Sequence, residues 1–160
     1  MQTKINRRRR SLMVASAFSV LALPVLAATN SNNPTIEVWK TPTCGCCKEW
    51  VSHLENAGFK TSVHDVEDTS AIRAQKGIPL ALASCHTGAV AGYALEGHVP
   101  ASEIKRLLSE RPNAVGLAVA GMPMGSPGME GPPGANQPQP RFDVLLVSKQ
   151  GVPTVYRAYR

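Results

Sequence analysis

Three cysteines within four residues, Cys44-Gly45-Cys46-Cys47, sit where a β-rich run gives way to a helical pattern. Residues 35–40 (Thr-Ile-Glu-Val-Trp-Lys) alternate in polarity and predict a strand. After the Thr41-Pro42-Thr43 loop, Trp50, Val51, Leu54 and Ala57 recur at three- and four-residue spacing, and Gly58 stands where a helix C-cap belongs. Cys44 and Cys47 are therefore a C-x-x-C pair between a strand and a helix N-terminus. Free N–H groups and the positive dipole end lower a thiol pKa at such a place. Thiolate serves disulfide exchange and metal ligation alike, so the motif leaves both chemistries open.

The rest of the chain supplies a frame for this junction. Residues 59–66 predict a second strand and residues 69–76 a short helix stopped by Gly77. Residues 80–97 hold short apolar runs punctuated by Gly88, Gly92 and Gly97, which predicts a β-hairpin. Pro100 opens the next helix, with Ile104, Leu107 and Leu108 as its apolar stripe, and Arg111-Pro112 ends it. Residues 116–140 hold six of the 13 glycines and six of the 13 prolines, an irregular loop. Residues 142–147 and 152–159 then predict a final hairpin. The order β-α-β-α-β-β-α is that of a thioredoxin-like α/β domain, here over residues 35–112. Residues 113–160 form an extension made of the Met/Gly/Pro loop and the hairpin. An open sheet of this kind places ligands at the carboxyl ends of its strands, where Cys44 lies.

The N-terminus sets the compartment. Arg7 to Arg10 precede the 16-residue apolar run 11–26 and the small residues Ala27-Ala28. That order predicts a secretory signal peptide, residues 1–27, with Val25 and Ala27 at the −3 and −1 positions. The run is short for a span and contains Pro24, so no stable membrane anchor is expected. Arg9-Arg10-Ser11-Leu12-Met13 loosely matches a twin-arginine signal, so Sec and twin-arginine export both stay open. Residues 28–34 read as a polar linker. The mature chain is expected in the periplasm, where cysteines meet an oxidising environment. The signal region also carries most of the net charge of +6: from residue 28 onward there are 12 basic and 11 acidic residues. No basic stripe with interleaved aromatics remains, which excludes nucleic acid as the expected partner.

Four cysteines, Cys44, Cys46, Cys47 and Cys85, admit several chemistries. Two structural disulfides would pair Cys44 with Cys47 and Cys46 with Cys85, or follow a similar alternative, since adjacent Cys46 and Cys47 bridge each other only under strain. A thiol–disulfide oxidoreductase would use Cys44 to attack and Cys47 to resolve, leaving Cys46 and Cys85 idle. A structural zinc needs four ligands in a tetrahedron, and three cysteines at one helix start converge poorly on one ion. Copper(I) fits the crowding better. It is soft, prefers thiolate and thioether, and accepts two or three ligands. A thiolate can also bridge two ions, so a cluster of several coppers suits cysteines spaced this closely.

The mature chain's three methionines, Met122, Met124 and Met129, all lie within eight residues of the Gly/Pro-rich loop. Core packing would scatter them along helices. They predict a lid that brings thioether ligands to the cysteines, with a flexible apolar cover as the alternative. Among the histidines, His53 falls mid-helix and His64 mid-strand, where packing or solvent exposure is the expectation. His86 and His98 are open candidates for imidazole ligands. Strand neighbours point to opposite faces, so Cys85 and His86 reach one site only if that strand is distorted. Gly77-Ile78-Pro79 is similar to the cis-proline turn that faces the cysteine motif in thioredoxin folds. A straight strand from Pro79 would carry Cys85 away from Cys44. A turn over residues 80–84 would instead begin the strand at Cys85, beside the site, and a shared cluster requires that second course.

The segment 39–59, with Pro42-Thr43-Cys44 and Cys47-Lys48, resembles the active-site region of glutaredoxins and thioredoxins. A longer series of motifs is more specific. Cys44-Gly45-Cys46-Cys47, Ser84-Cys85-His86-Thr87, Glu96-Gly97-His98-Val99-Pro100, Gly121-Met122-Pro123, the run 125–130 and Phe142-Asp143-Val144-Leu145-Leu146 together resemble the exported CxCC copper-resistance family, the CopG-like proteins. The resemblance runs over residues 35–160. It implies a thioredoxin fold with a metal-binding C-terminal extension and a cysteine-bridged copper cluster that interconverts copper(I) and copper(II). Carried over residue by residue, it implies Cys44, Cys46, Cys47 and Cys85 as cluster thiolates, joined by Met122 and Met129. The implied partners are copper ions and a copper efflux system or periplasmic metallochaperone.

Overall fold

The computed structural model describes residues 33–131 and 141–160. The expected signal peptide, most of the linker and residues 132–140 of the expected loop lie outside the described residues. Strand β1 (Ile36–Lys40) buries Ile36, Val38 and Lys40, the alternate positions that its pattern assigns to one face. Helix α1 (Gly45–Asn56) buries Cys47, Trp50 and Leu54, one stripe at three- and four-residue spacing. Gly58, at φ +87°, follows the helix where a left-handed residue ends it. The chain continues through β2 (Thr61–Asp65), α2 (Ser70–Gln75), a single 3₁₀ turn (Leu80–Leu82), β3 (His86–Val90), β4 (Tyr93–Glu96) and α3 (Ala101–Glu110). Helix α3 starts after Pro100 and stops at Arg111, which adopts the left-handed conformation before Pro112. Three further strands close the order: β5 (Ala114–Ala118), β6 (Phe142–Ser148) and β7 (Pro153–Tyr159).

The result, among the described residues, is a mixed α/β fold: one seven-stranded sheet, in the order β2-β1-β3-β4-β5-β6-β7, with three α-helices. The pairs β1/β2 and β4/β5 are parallel and the other neighbours antiparallel. One face of the sheet buries Val38, Leu95, Leu117 and Val144 against Trp50 and Leu54 of α1 and Ile104 and Leu107 of α3. The opposite face buries Ala94, Ala118 and Val147 against Ile78 and Leu82. No helix among the described residues is long and apolar enough to cross a membrane.

Strand β5 lies where the sequence predicted the start of a loop. Gly116 suggests a breaker, but here it sits at a bulge in the β5/β6 pairing. A Cβ on Gly116 would collide with the Ala94 carbonyl of β4, so glycine is what allows the two strands to approach. Because β5 pairs with both β4 and β6, strands β5, β6 and β7 continue the main sheet rather than hang from it.

The segment before β3 takes the course that brings Cys85 to the site: Pro79 leads into the 3₁₀ turn, and β3 begins only at His86. The cis-proline expectation is not met. The described residues contain no cis peptide bond, and Pro79 has ordinary extended backbone (φ −60°, ψ 144°).

Candidate metal centre

Cys44 is the N-cap of α1, and its sulfur accepts the Cys47 backbone N–H at 3.3 Å. This cap bends the chain so that Cys44, Cys46 and Cys47 gather around the first helical turn. Cys44 and Cys47 form a disulfide, with Cα atoms 5.3 Å apart, while Cys46 and Cys85 carry free thiols. A second bridge is therefore not made. Cys46 Sγ lies 3.6 Å from Cys44 Sγ and 3.8 Å from Cys85 Sγ. All four sulfurs fall within 4.8 Å of one another. Two segments 38 residues apart in sequence thus deliver a single sulfur cluster.

Two histidines complete the surroundings of Cys85, and their tautomers follow from their partners. The His86 Nε2–H donates to the Gly97 carbonyl at 2.9 Å, which leaves Nδ1 as a bare lone pair 3.3 Å from Cys85 Sγ. The His98 Nδ1–H donates to the Pro127 carbonyl at 2.8 Å, which leaves Nε2 bare and 3.2 Å from the same sulfur. A backbone carbonyl on the far ring nitrogen is how proteins orient a metal-binding imidazole. Burial lowers the pKa of both rings, that of His86 to about 3, so each is neutral at pH 7. Burial and the neighbouring Cys46 push the Cys85 thiol up to about 12. One S–H proton cannot satisfy two lone pairs, so at least one imidazole nitrogen faces a sulfur without a proton between them. The donor set, soft sulfur with neutral imidazole, fits a soft or borderline transition-metal ion.

The sequence leaves His86 and His98 as open candidates and lets Cys85 and His86 share a site only if their strand is distorted. Strand alternation does not apply, because Cys85 lies before the first residue of β3 and its backbone is free to turn. His53 and His64 stand apart from the cluster. His53 Nε2 accepts the Ala101 N–H at the start of α3, at 3.0 Å, and His64 stacks on Trp39 at the surface.

Residues 121–131 of the methionine loop are seated on the site. Ser126 is fully buried, its hydroxyl donates to the Pro123 carbonyl, and the Gly125 N–H donates to the Met129 carbonyl at 3.0 Å. Gly128 (φ +84°) packs so close to α1 that a Cβ there would lie 2.7 Å from the Cys46 carbonyl oxygen. Met129 is half-buried, whereas Met122 and Met124 are 53% and 58% exposed. The Ser84 hydroxyl donates to the Gly121 carbonyl, which ties the residue before Met122 to the residue before Cys85.

A family model described as "Protein of unknown function, DUF411" matches residues 82–129, the stretch from the 3₁₀ turn to Met129. The solved structure of copper resistance protein CopG in its Form 1 is 42% identical, with a TM-score of 0.72, over 79% of this chain and 98% of that one. The Form 2 structure is 43% identical, also with a TM-score of 0.72, over 80% and 99%. The chain belongs to the CopG family of copper resistance proteins. A search of curated proteins finds no match. In this CopG family member, the four cysteines, two of them available once the Cys44–Cys47 bond is reduced, form one group that could hold metal, and Cys85 with His86 and His98 forms a second that shares the Cys85 sulfur.

The Cys85 thiol gives a direct signature of metal entry. A thiol pushed up to about 12 is protonated at pH 7 and must lose its proton to become a ligand. The reduced chain is expected to release that proton on metal addition, and its displacement from Cys85 raises apparent affinity about tenfold per pH unit from pH 7 to 9. The neutral histidines add nothing to the count. A pH indicator in weakly buffered solution measures the release, and metal binding without it would contradict this ligand assignment.

Proposed function

We propose that this chain is an exported copper-handling protein of copper tolerance with a thioredoxin-like fold. It works in the periplasm, after loss of residues 1–27. Copper is its cargo, held as several ions bridged by the thiolates of Cys44, Cys46, Cys47 and Cys85. His86 and His98 add nitrogen donors, and Met122 and Met129 supply thioethers from the loop. The observation that carries this proposal is the meeting of four sulfurs from distant segments, one of which, that of Cys85, also faces two bare imidazole nitrogens.

The Cys44–Cys47 disulfide sets the redox stoichiometry. An external dithiol opens it by thiol–disulfide exchange, giving up two electrons and two protons and becoming a disulfide itself, and the two thiols released then bind copper as thiolates with loss of their protons. In the other direction, two copper(II) ions take one electron each as the two thiols close to the disulfide and release two protons. Copper(II) is thereby reduced to copper(I), the form that thiolates hold best. A copper efflux system or periplasmic metallochaperone would receive the metal.

The test is metal loading of the reduced, untagged chain followed by elemental analysis. Several coppers per chain are expected, and Cys46→Ser should lower the number sharply. One zinc and no copper would reject the proposal.

The bonded Cys44–Cys47 pair favours a second function, thiol–disulfide exchange. Cys44 is half-exposed and Cys47 fully buried, the arrangement of an attacking and a resolving cysteine. An oxidoreductase of this kind would reduce insulin, and its activity would survive both Cys46→Ser and deletion of residues 121–130.

A further inference from the structure

Cys85 is the one cluster cysteine not placed by α1, and it follows a segment with little regular structure. A buried ion pair lies behind it. Arg73 of α2 is 6% exposed and Glu96 at the end of β4 is fully buried. The Arg73 Nε–H donates to Glu96 Oε1 at 2.7 Å. Its Nη2 group donates to Thr69 Oγ1 at 2.8 Å and to the Ser84 carbonyl at 3.1 Å. Glu96 Oε1 also accepts the Ser84 backbone N–H at 2.7 Å, and Oε2 accepts the Thr87 hydroxyl at 2.7 Å. The pair therefore holds both backbone polar groups of the residue before Cys85 and the side chain two residues after it.

A buried ion pair is a costly way to fill a core, since apolar residues of similar volume are often as stable or more so. What this pair supplies is direction: a planar guanidinium and a carboxylate oriented by three donors have one arrangement that satisfies them all. We infer that Arg73 and Glu96 are positioning residues, a clamp that sets the Cys85 sulfur within reach of Cys46 and of the His86 and His98 nitrogens. The clamp serves the copper site proposed above and rests on that reading for its purpose, although its geometry can be measured without metal.

The test uses two pairs of cysteines in the full chain. In a Cys44→Ser, Cys47→Ser background, Cys46 and Cys85 are left 3.8 Å apart, sulfur to sulfur. Diamide takes two electrons and two protons from them and closes the disulfide. In a Cys46→Ser, Cys85→Ser background, the same reagent closes Cys44–Cys47, which the clamp does not touch. The Arg73→Met, Glu96→Gln double variant removes both charges together and leaves none unpaired. It is expected to slow Cys46–Cys85 closure about tenfold or more while Cys44–Cys47 closure is unchanged. Arg73→Lys keeps the charge but reaches fewer acceptors, so an intermediate rate is expected. Thr87→Val, a small change at one arm, should slow the same closure even if the double variant fails to fold. Unchanged Cys46–Cys85 closure in the variants that fold would overturn the clamp, as would equal slowing of both pairs. If the parent chain takes up no copper yet the two closures separate as expected, the copper function fails and the clamp stands.

Discussion

Cys85→Ser is expected to dismantle the metal centre while leaving the fold intact. The oxygen of serine is a hard, protonated donor and a poor ligand for copper(I). The substitution removes the sulfur that Cys46 approaches from one side and that His86 and His98 approach from the other. The three remaining cysteines all belong to the first turn of α1, so no second segment supplies a sulfur to the site. Copper retained against a competing copper(I) chelator should fall by about 100-fold or more, on the scale of losing a ligand with its supporting partners. The melting temperature should change little, because serine nearly matches cysteine in size and Cys85 is not part of either hydrophobic cluster. Chelator competition and thermal unfolding on the same preparation check both halves. Full copper retention would show that the α1 cysteines suffice alone.

Gly128→Val tests whether the loop is part of the site or merely near it. Gly128 has φ +84°, a conformation that side-chain-bearing residues rarely adopt and β-branched ones least of all. The added Cβ would also lie 2.7 Å from the Cys46 carbonyl oxygen and 2.8 Å from the Trp50 nitrogen, both backbone atoms of α1 that cannot yield cheaply. Backbone strain alone costs on the order of 1–3 kcal/mol. The cheaper outcome is for the loop to lift from α1. Lifting would cost His98 its Pro127 partner, and with it the tautomer that points Nε2 at Cys85. The expected result is a folded chain that has lost about tenfold or more of its copper affinity, with residues 121–130 newly open to protease. Wild-type copper affinity with a protease-sensitive loop would mean that neither the loop methionines nor the orientation of His98 matters to the metal.

Much of this site was visible in the spacing of residues. Strand, loop and helix around Cys44 follow from local alternation and capping, and the structure reproduces them within a residue or two. The choice between a straight strand and a turn before Cys85 could be made only by requiring that the cysteines share a purpose. The 3₁₀ turn at Leu80–Leu82 carries no strong local signal. Strand β5 was hidden for a related reason. Gly116 weakens every local argument for a strand, and its necessity appears only when β4 lies against it. The roles of His86 and His98 were hidden as well, because a histidine becomes a ligand through whatever holds its other nitrogen. Here that is the carbonyl of Gly97 for one and of Pro127 for the other.

Local order along the chain determined which chemistry is available: soft donors, three of them crowded onto a helix start, in a protein with an export-like N-terminus. Ligand type and short-range spacing are properties of adjacent residues, and no folding is needed to read them. The tertiary structure alone decided which donors converge. Convergence of Cys85, His86 and His98 with the helix cysteines depends on sheet register, on the Arg73–Glu96 pair and on the contact at Gly128, all of them between residues far apart in the chain. Such contacts form only when the whole sheet closes, which is why no local pattern announces them.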